Sequence, residues 1–154
     1  GAAKQCGAST IFMACVPADQ VPVNADVDIR LIVGPEVLAG STRLKAGTVT
    51  KLALNILSTG VMVKLGKVYG NRMVDVAVTN TKLRDRAIRI LQDLTELDRE
   101  TAGDLLDKSD LQVKVALVMH LAGLEKADAI TALNSADGNL RSALASAQSL
   151  ASAQ

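Results

Sequence analysis

"GPEVLAGSTRLKAGT", Gly34 to Thr48, is the stretch on which the reading of this chain turns. It gathers one carboxylate (Glu36), a Gly-Ser-Thr turn and two cations (Arg43 and Lys45), and it leads into an apolar run with helical spacing. Two readings compete. A helix start offers unpaired backbone N–H groups and the positive end of the helix dipole, which suit a phosphate or carboxylate. Ser41 and Thr42 would add hydroxyls, and Arg43 and Lys45 charge-assisted hydrogen bonds. In the plainer reading Ser41 is only an N-cap. Glu36 follows a candidate strand, where ligands of open α/β sheets collect, so it is placed to meet a hydroxyl or move a proton. Tying down its own loop is an equally open role.

Upstream of this stretch, "TIFMACV" (Thr10 to Val16) is a continuous β-rich apolar run that predicts a strand buried on both faces. "DVDIRLIV" (Asp26 to Val33) predicts a second strand, and the proline-containing "PADQVPVNA" between them a loop. Before the first strand, Ala2 to Gln5 reads as the tail of a helix closed by Gly7. That opening, together with the missing initiator Met, leads us to expect the later part of a longer protein, with Gly1 a candidate cloning remnant.

Downstream, the pattern turns helical from Ser41. Leu44, Val49, Leu52, Ala53, Ile56, Leu57, Val61, Leu65 and Val68 predict one long helix that "YGNRMVDV" breaks. Asn80 predicts the cap of another, with Leu83, Ala87, Ile90, Leu91 and Leu94 as its buried stripe. From Asp98 shorter helices are expected near 99–107, 110–122, 125–134 and 138–149, with Gly123 and Asp137-Gly138 between them. The last segment, "SAQSLASAQ" (Ser146 to Gln154), reads as a low-complexity tail.

Composition excludes several classes of function. Phe12 and Tyr69 are the aromatics of a chain with net charge +1, which argues against base stacking and against general polyanion binding. Cys6, Cys15 and His120 lack metal-ligand spacing, so two ordinary thiols are expected, with His120 a packed or rim residue. The apolar run Leu52 to Val63 is short for a bilayer span and carries Asn, Ser and Thr, so a soluble cytoplasmic chain is expected. Charge is unevenly placed, however. No acidic residue lies between Val37 and Val74, where Arg43, Lys45, Lys51, Lys64, Lys67 and Arg72 all fall.

"GPEVLAGSTRLKAGTVTK" (Gly34 to Lys51) resembles the signature shared by bacterial N-acetylmuramic acid 6-phosphate etherases and the animal glucokinase regulatory protein. "LNILSTGVMVKLGKVYGNRMVDVAVTNTKLRDRAIRI" (Leu54 to Ile90) continues the likeness to the etherases, with Thr50 and Arg72 as small departures. The resemblance implies an α/β fold, predominantly helical here. Its parts would be the last portion of a sugar isomerase (SIS) parallel-sheet domain over 1–78, a connecting helix over 79–97, a small all-α domain similar to ubiquitin-associated folds over 98–149, and a flexible tail over 150–154.

It also implies a lyase that cleaves the D-lactyl ether of N-acetylmuramic acid 6-phosphate in cell-wall recycling, with no cofactor and no metal. In that family a base removes the C2 proton of the opened sugar, lactate leaves C3 and water adds back. The two glutamates that serve it belong to an upstream half, so no catalytic residue is assigned in this chain, which alone is expected to be inactive. Glu36, Ser41, Thr42, Arg43 and Lys45 are carried over as substrate-binding candidates. The expected partners are a phosphorylated amino sugar and a second copy in a homodimer, with neither nucleic acid nor membrane. A non-catalytic phosphosugar sensor is the alternative.

Overall fold

The computed structural model describes the backbone of residues 2–151 and the side chains of residues 2–147. It separates into two compact units, Gly1–Gly60 and Val61–Gln154. Among the described residues more are in helix than in strand, and a parallel strand pairing makes the fold mixed α/β.

In the first unit α1 (Ala2–Gln5) ends as expected at Gly7. There φ is +72°, and the Gly7 and Ala8 amides donate to Lys4 and Ala3, closing the helix in the left-handed way that glycine permits. Strands β1 (Ile11–Ala14) and β2 (Val27–Arg30) pair in parallel, Ile11 opposite Val27 through Ala14 opposite Arg30. Asp26 starts the register: its Oδ2 accepts from both the amide and the hydroxyl of Thr10 at 2.7 Å. The connecting loop is tied by Arg30, which pairs with Asp28 at 2.7 Å, donates to the Val16 and Val21 carbonyls and lies 5.0 Å over the Phe12 ring.

Both strands are shorter than predicted, and β1 is not buried on both faces, since Ile11 is 59% exposed. A parallel strand becomes buried when neighbouring strands and crossover helices cover it, and the sheet here has two strands.

Helix α2 (Lys45–Lys64) runs across the boundary between the units. It starts later than Ser41 and ends before Val68, because Gly66 (φ +65°) stops it: the Gly66 and Lys67 amides turn back to Val63 and Met62. No residue of α2 is buried, and Leu52, Leu54, Ile56, Val61 and Val63 are all at least half exposed. By length and composition α2 could cross a membrane, because the helix extends beyond the Leu52–Val63 run at both ends.

The second unit holds the core. "YGNRMVDV" is more than a break: β3 (Val68–Tyr69) and β4 (Arg72–Met73) form a tight hairpin around Gly70-Asn71, with Gly70 at φ +57°. Helix α3 (Thr81–Thr95) follows, capped as predicted by Asn80, whose side chain accepts from the Leu83 amide at 2.9 Å. Of its expected stripe, Ala87, Ile90 and Leu91 are buried while Leu83 and Leu94 are half-buried; Ile88 is buried as well.

Helices α4 (Arg99–Lys108), α5 (Val113–Ala122), α6 (Lys126–Ser135) and α7 (Leu140–Ala151) complete the unit. Helix α5 starts three residues late, because Asp110 and Leu111 take left-handed conformations. Leu91, Leu106, Leu117 and Leu140 are fully buried at the centre, each worth about 2 kcal/mol of transfer free energy. Ser109, a buried polar residue, donates its hydroxyl to the Leu106 carbonyl at 2.8 Å.

The expected tail does not begin at Ser146: Leu140, Ala143, Leu144 and Ala147 are buried at helical spacing, and α7 continues through Ala151. Residues 152–154 of that tail, and Gly1, lie outside the described residues.

Candidate functional site

The signature stretch folds into a self-capped turn. Gly34 (φ +67°) and Gly40 (φ +80°) both take left-handed conformations, and an added Cβ would meet nothing within 4 Å at either, so glycine is required there for its backbone freedom. Between them Glu36 reaches forward to α2. Its Oε2 accepts from the Lys45 amide at 2.8 Å and its Oε1 from the Ala46 amide at 3.0 Å. Lys45 returns the tie, donating its Nζ to the Pro35 carbonyl at 2.9 Å. The next two amides are also taken, Gly47 by the Thr42 carbonyl at 2.8 Å and Thr48 by that of Leu44 at 3.1 Å.

The four amides left over at a helix start therefore all have partners here. An anion does sit at this helix N-terminus, and it is Glu36. Ser41 is not the N-cap; its carbonyl accepts from the Leu44 amide in the preceding turn. The Ala46 and then the Lys45 amide, with a smaller contribution from the Lys45 charge, hold the Glu36 carboxyl below its ordinary value. A carboxylate so stabilised in its ionised form is a weak general base.

What remains open to a ligand is the set of side chains around this cap. Thr42, Arg43 and Lys45 are exposed and Ser41 is half-buried. Two open depressions flank the start of α2. One, of about 540 Å³, is lined by Val33, Leu44, Lys45, Thr48, Val49 and Leu52; the other, of about 520 Å³, by Thr42, Ala46, Gly47, Thr50, Lys51, Leu54 and Asn55. Among the described residues, Arg43, Lys51 and Lys64 make no ion pair, whereas Lys67 pairs with Asp75 and Arg72 with Asp93. The departure at Arg72 thus has a partner, at 2.7 Å, and Thr50 lies 3.5 Å from the Cys15 sulfur.

The sequence reading missed a second basic concavity. In the second unit a cavity of about 750 Å³ is lined by residues that include Arg72, Lys82, Arg86 and Arg89 together with Asp85 and Asp93. Asp85 is engaged by Arg99 and Arg89, and the Arg99 guanidinium is the largest cause of its lowered pKa. Lys82 and Arg86, one helical turn apart on α3, make no ion pair among the described residues. The signal lies in "KLRDR" (Lys82 to Arg86), whose cations line a concavity only once the hairpin residues Asn71 to Met73 are placed beside them. His120 is exposed on α5, and among the described residues no three His, Cys, Asp or Glu side chains converge as metal ligands.

As a class, residues 70–117 match the family described as the C-terminal lid domain of glucokinase regulatory protein. More narrowly, the chain is 71% identical over 147 residues to a protein of Nostoc punctiforme named N-acetylmuramic acid 6-phosphate etherase, covering 96% of this chain and 48% of that protein. Proteins of the same name in Crocosphaera subtropica and Synechocystis are 69% and 67% identical, over 96% and 93% of this chain and 48% and 47% of theirs. The resemblance to N-acetylmuramic acid 6-phosphate etherases thus runs along nearly the whole chain, which spans about half the length of the curated relatives it matches.

Proposed function

We propose that this chain is the later half of a carbon–oxygen lyase that releases D-lactate from N-acetylmuramic acid 6-phosphate, leaving N-acetylglucosamine 6-phosphate. The observation that carries the reading is the 71% identity to a named etherase along 96% of the chain. Exposed Thr42, Arg43 and Lys45, with half-buried Ser41 beside them, support it, since hydroxyls and cations at the open depressions that Thr42 and Lys45 line suit a phosphorylated sugar. Lys82 and Arg86 offer a second pair of cations for the same class of ligand. Glu36 lines the first set and is not the acid or base, because its oxygens already accept two amides. The groups that move the C2 proton lie in the half of the relatives that this chain does not span, so the chain alone is inactive.

We read α2 as a buried helix of the complete SIS layer and not as a membrane span. Thr48, Thr50, Lys51, Asn55, Ser58 and Thr59 distribute polar groups along it, and a bilayer core penalises such groups. The exposed apolar side chains of α2, among them Leu54, Ile56 and Val61, make a surface that a finished fold normally covers. In the cytoplasm, the rest of the sheet and a second copy in a homodimer would supply that cover. Residues 98–149 are read as a small helical domain similar to ubiquitin-associated folds.

The test is a chimera in which this chain replaces the matching 147 residues of the Nostoc punctiforme protein. Lactate release from N-acetylmuramic acid 6-phosphate is expected. The match to the glucokinase regulatory protein lid favours one other reading, a sensor without turnover. Binding of the sugar phosphate by the chimera without lactate release would put that sensor in place of the lyase.

A further inference from the structure

Residues 34–40 form a short strap with a left-handed glycine at each end. Its tip exposes two apolar side chains, Val37 at 89% and Leu38 at 63%, which give it no anchorage of their own. The fastening comes from Glu36, through the Lys45 and Ala46 amides, and from Lys45 Nζ on the Pro35 carbonyl. Beyond the strap, Ser41 and Thr42 donate their amides to the Leu38 and Gly40 carbonyls at 3.0 Å each, so their placement follows that of the strap.

We propose that Glu36 is a positioning residue: its carboxylate, clamped on the first turn of α2, fixes residues 34–40 and thereby aims Ser41, Thr42 and Arg43 at a ligand that Glu36 itself does not touch. The clamp stands on geometry alone; its consequence for ligand binding rests on the phosphosugar reading above. Two carboxylate oxygens meeting two consecutive amides leave little angular freedom, and a shorter or neutral side chain cannot reproduce both bonds. Asp is one methylene too short to span from Glu36 to α2 without moving the strap. Gln keeps one acceptor and turns an NH₂ donor toward the other amide. Lys45 on α2 is the charged group acting on the carboxylate.

The experiment has two arms. In this chain, amide resonances of Lys45 and Ala46 are followed by NMR in the wild type and in E36Q and E36A. Both amide protons should shift together as the wild type is acidified, with a midpoint below that of an ordinary glutamate. E36Q should disturb one of them strongly, and E36A should abolish the titration at both. Amides that ignore both substitutions and the titration would overturn the clamp, whatever the chain binds.

In the chimera, E36A should raise KM for the muramic acid phosphate roughly tenfold or more, with E36Q between it and the wild type. The acidic limb of the kcat profile should stay in place. Loss of that limb with KM unchanged would make Glu36 an acid–base group and overturn the positioning role. If the amide arm succeeds and KM does not move, the clamp holds but the aiming of Ser41 to Arg43 at a ligand is refuted.

Discussion

The two units of this chain are built from similar proportions of apolar residue and reach opposite outcomes. From Val61 onward the molecule closes on itself: five helices and a hairpin bury Val74, Ala87, Leu91, Leu106, Val113, Leu117 and Leu140 almost completely. Before Gly60 no described residue is buried, although β1 and α2 are among the most apolar segments. Helices satisfy their own backbone and need only a partner for one stripe, so a run of short helices completes a core locally. A parallel strand needs neighbours on both edges and cover on both faces, which come from distant chain. Apolar content therefore tells how much surface must be covered, and topology tells whether the same stretch of chain can cover it.

The largest effect that tests this contrast is Leu117→Ala, which should cost about 2 to 5 kcal/mol in chemical denaturation, because it opens a cavity in the helical core. Ile56→Ala, at a site 73% exposed, should change stability by no more than about 0.5 kcal/mol. Equal costs at the two positions would erase the distinction between the units. Next in size is Asn80→Ala, expected to lower stability by about 1 kcal/mol through loss of the cap on α3.

The smallest effect is local and depends on pH. Thr10, first through its hydroxyl and then its amide, lowers the Asp26 pKa from 3.8 to about 2. A carboxyl lowered on folding stabilises the paired strands fully above about pH 4, and that contribution disappears as pH falls through the folded value. An NMR titration of the Asp26 carboxyl carbon should give a midpoint near 2 in the wild type and closer to 3.8 in Thr10→Ala.

Legibility in the sequence followed the same division. Asn80, the α3 stripe, Gly123 and the later helices could be read because each signal lies within a few residues of the element it governs. The hairpin at Val68–Met73 was missed because strands of two residues have no period to detect. The late start of α5 was hidden chiefly at Leu111, a residue type that rarely takes the left-handed conformation it adopts here beside Asp110.

At the candidate site, the residues of the signature could be named but not their roles. Capping rules search within three residues of a helix start, and Glu36 caps α2 from nine residues upstream. Ser41, the better local candidate, lies outside the helix. The basic cavity beside α3 needed the hairpin, so it was invisible until Arg72 was placed next to Asp93.

The difference between the units is tested most directly by amide hydrogen exchange along the whole chain, at a dilution where it sediments as a monomer. Peptides from α3 to α7 should exchange at the slow rate set by global unfolding, while those from β1, β2 and α2 exchange far faster. Protection of α2 equal to that of α5 under those conditions would contradict the account, because it would mean that residues 2–60 bury their apolar surface without any further chain.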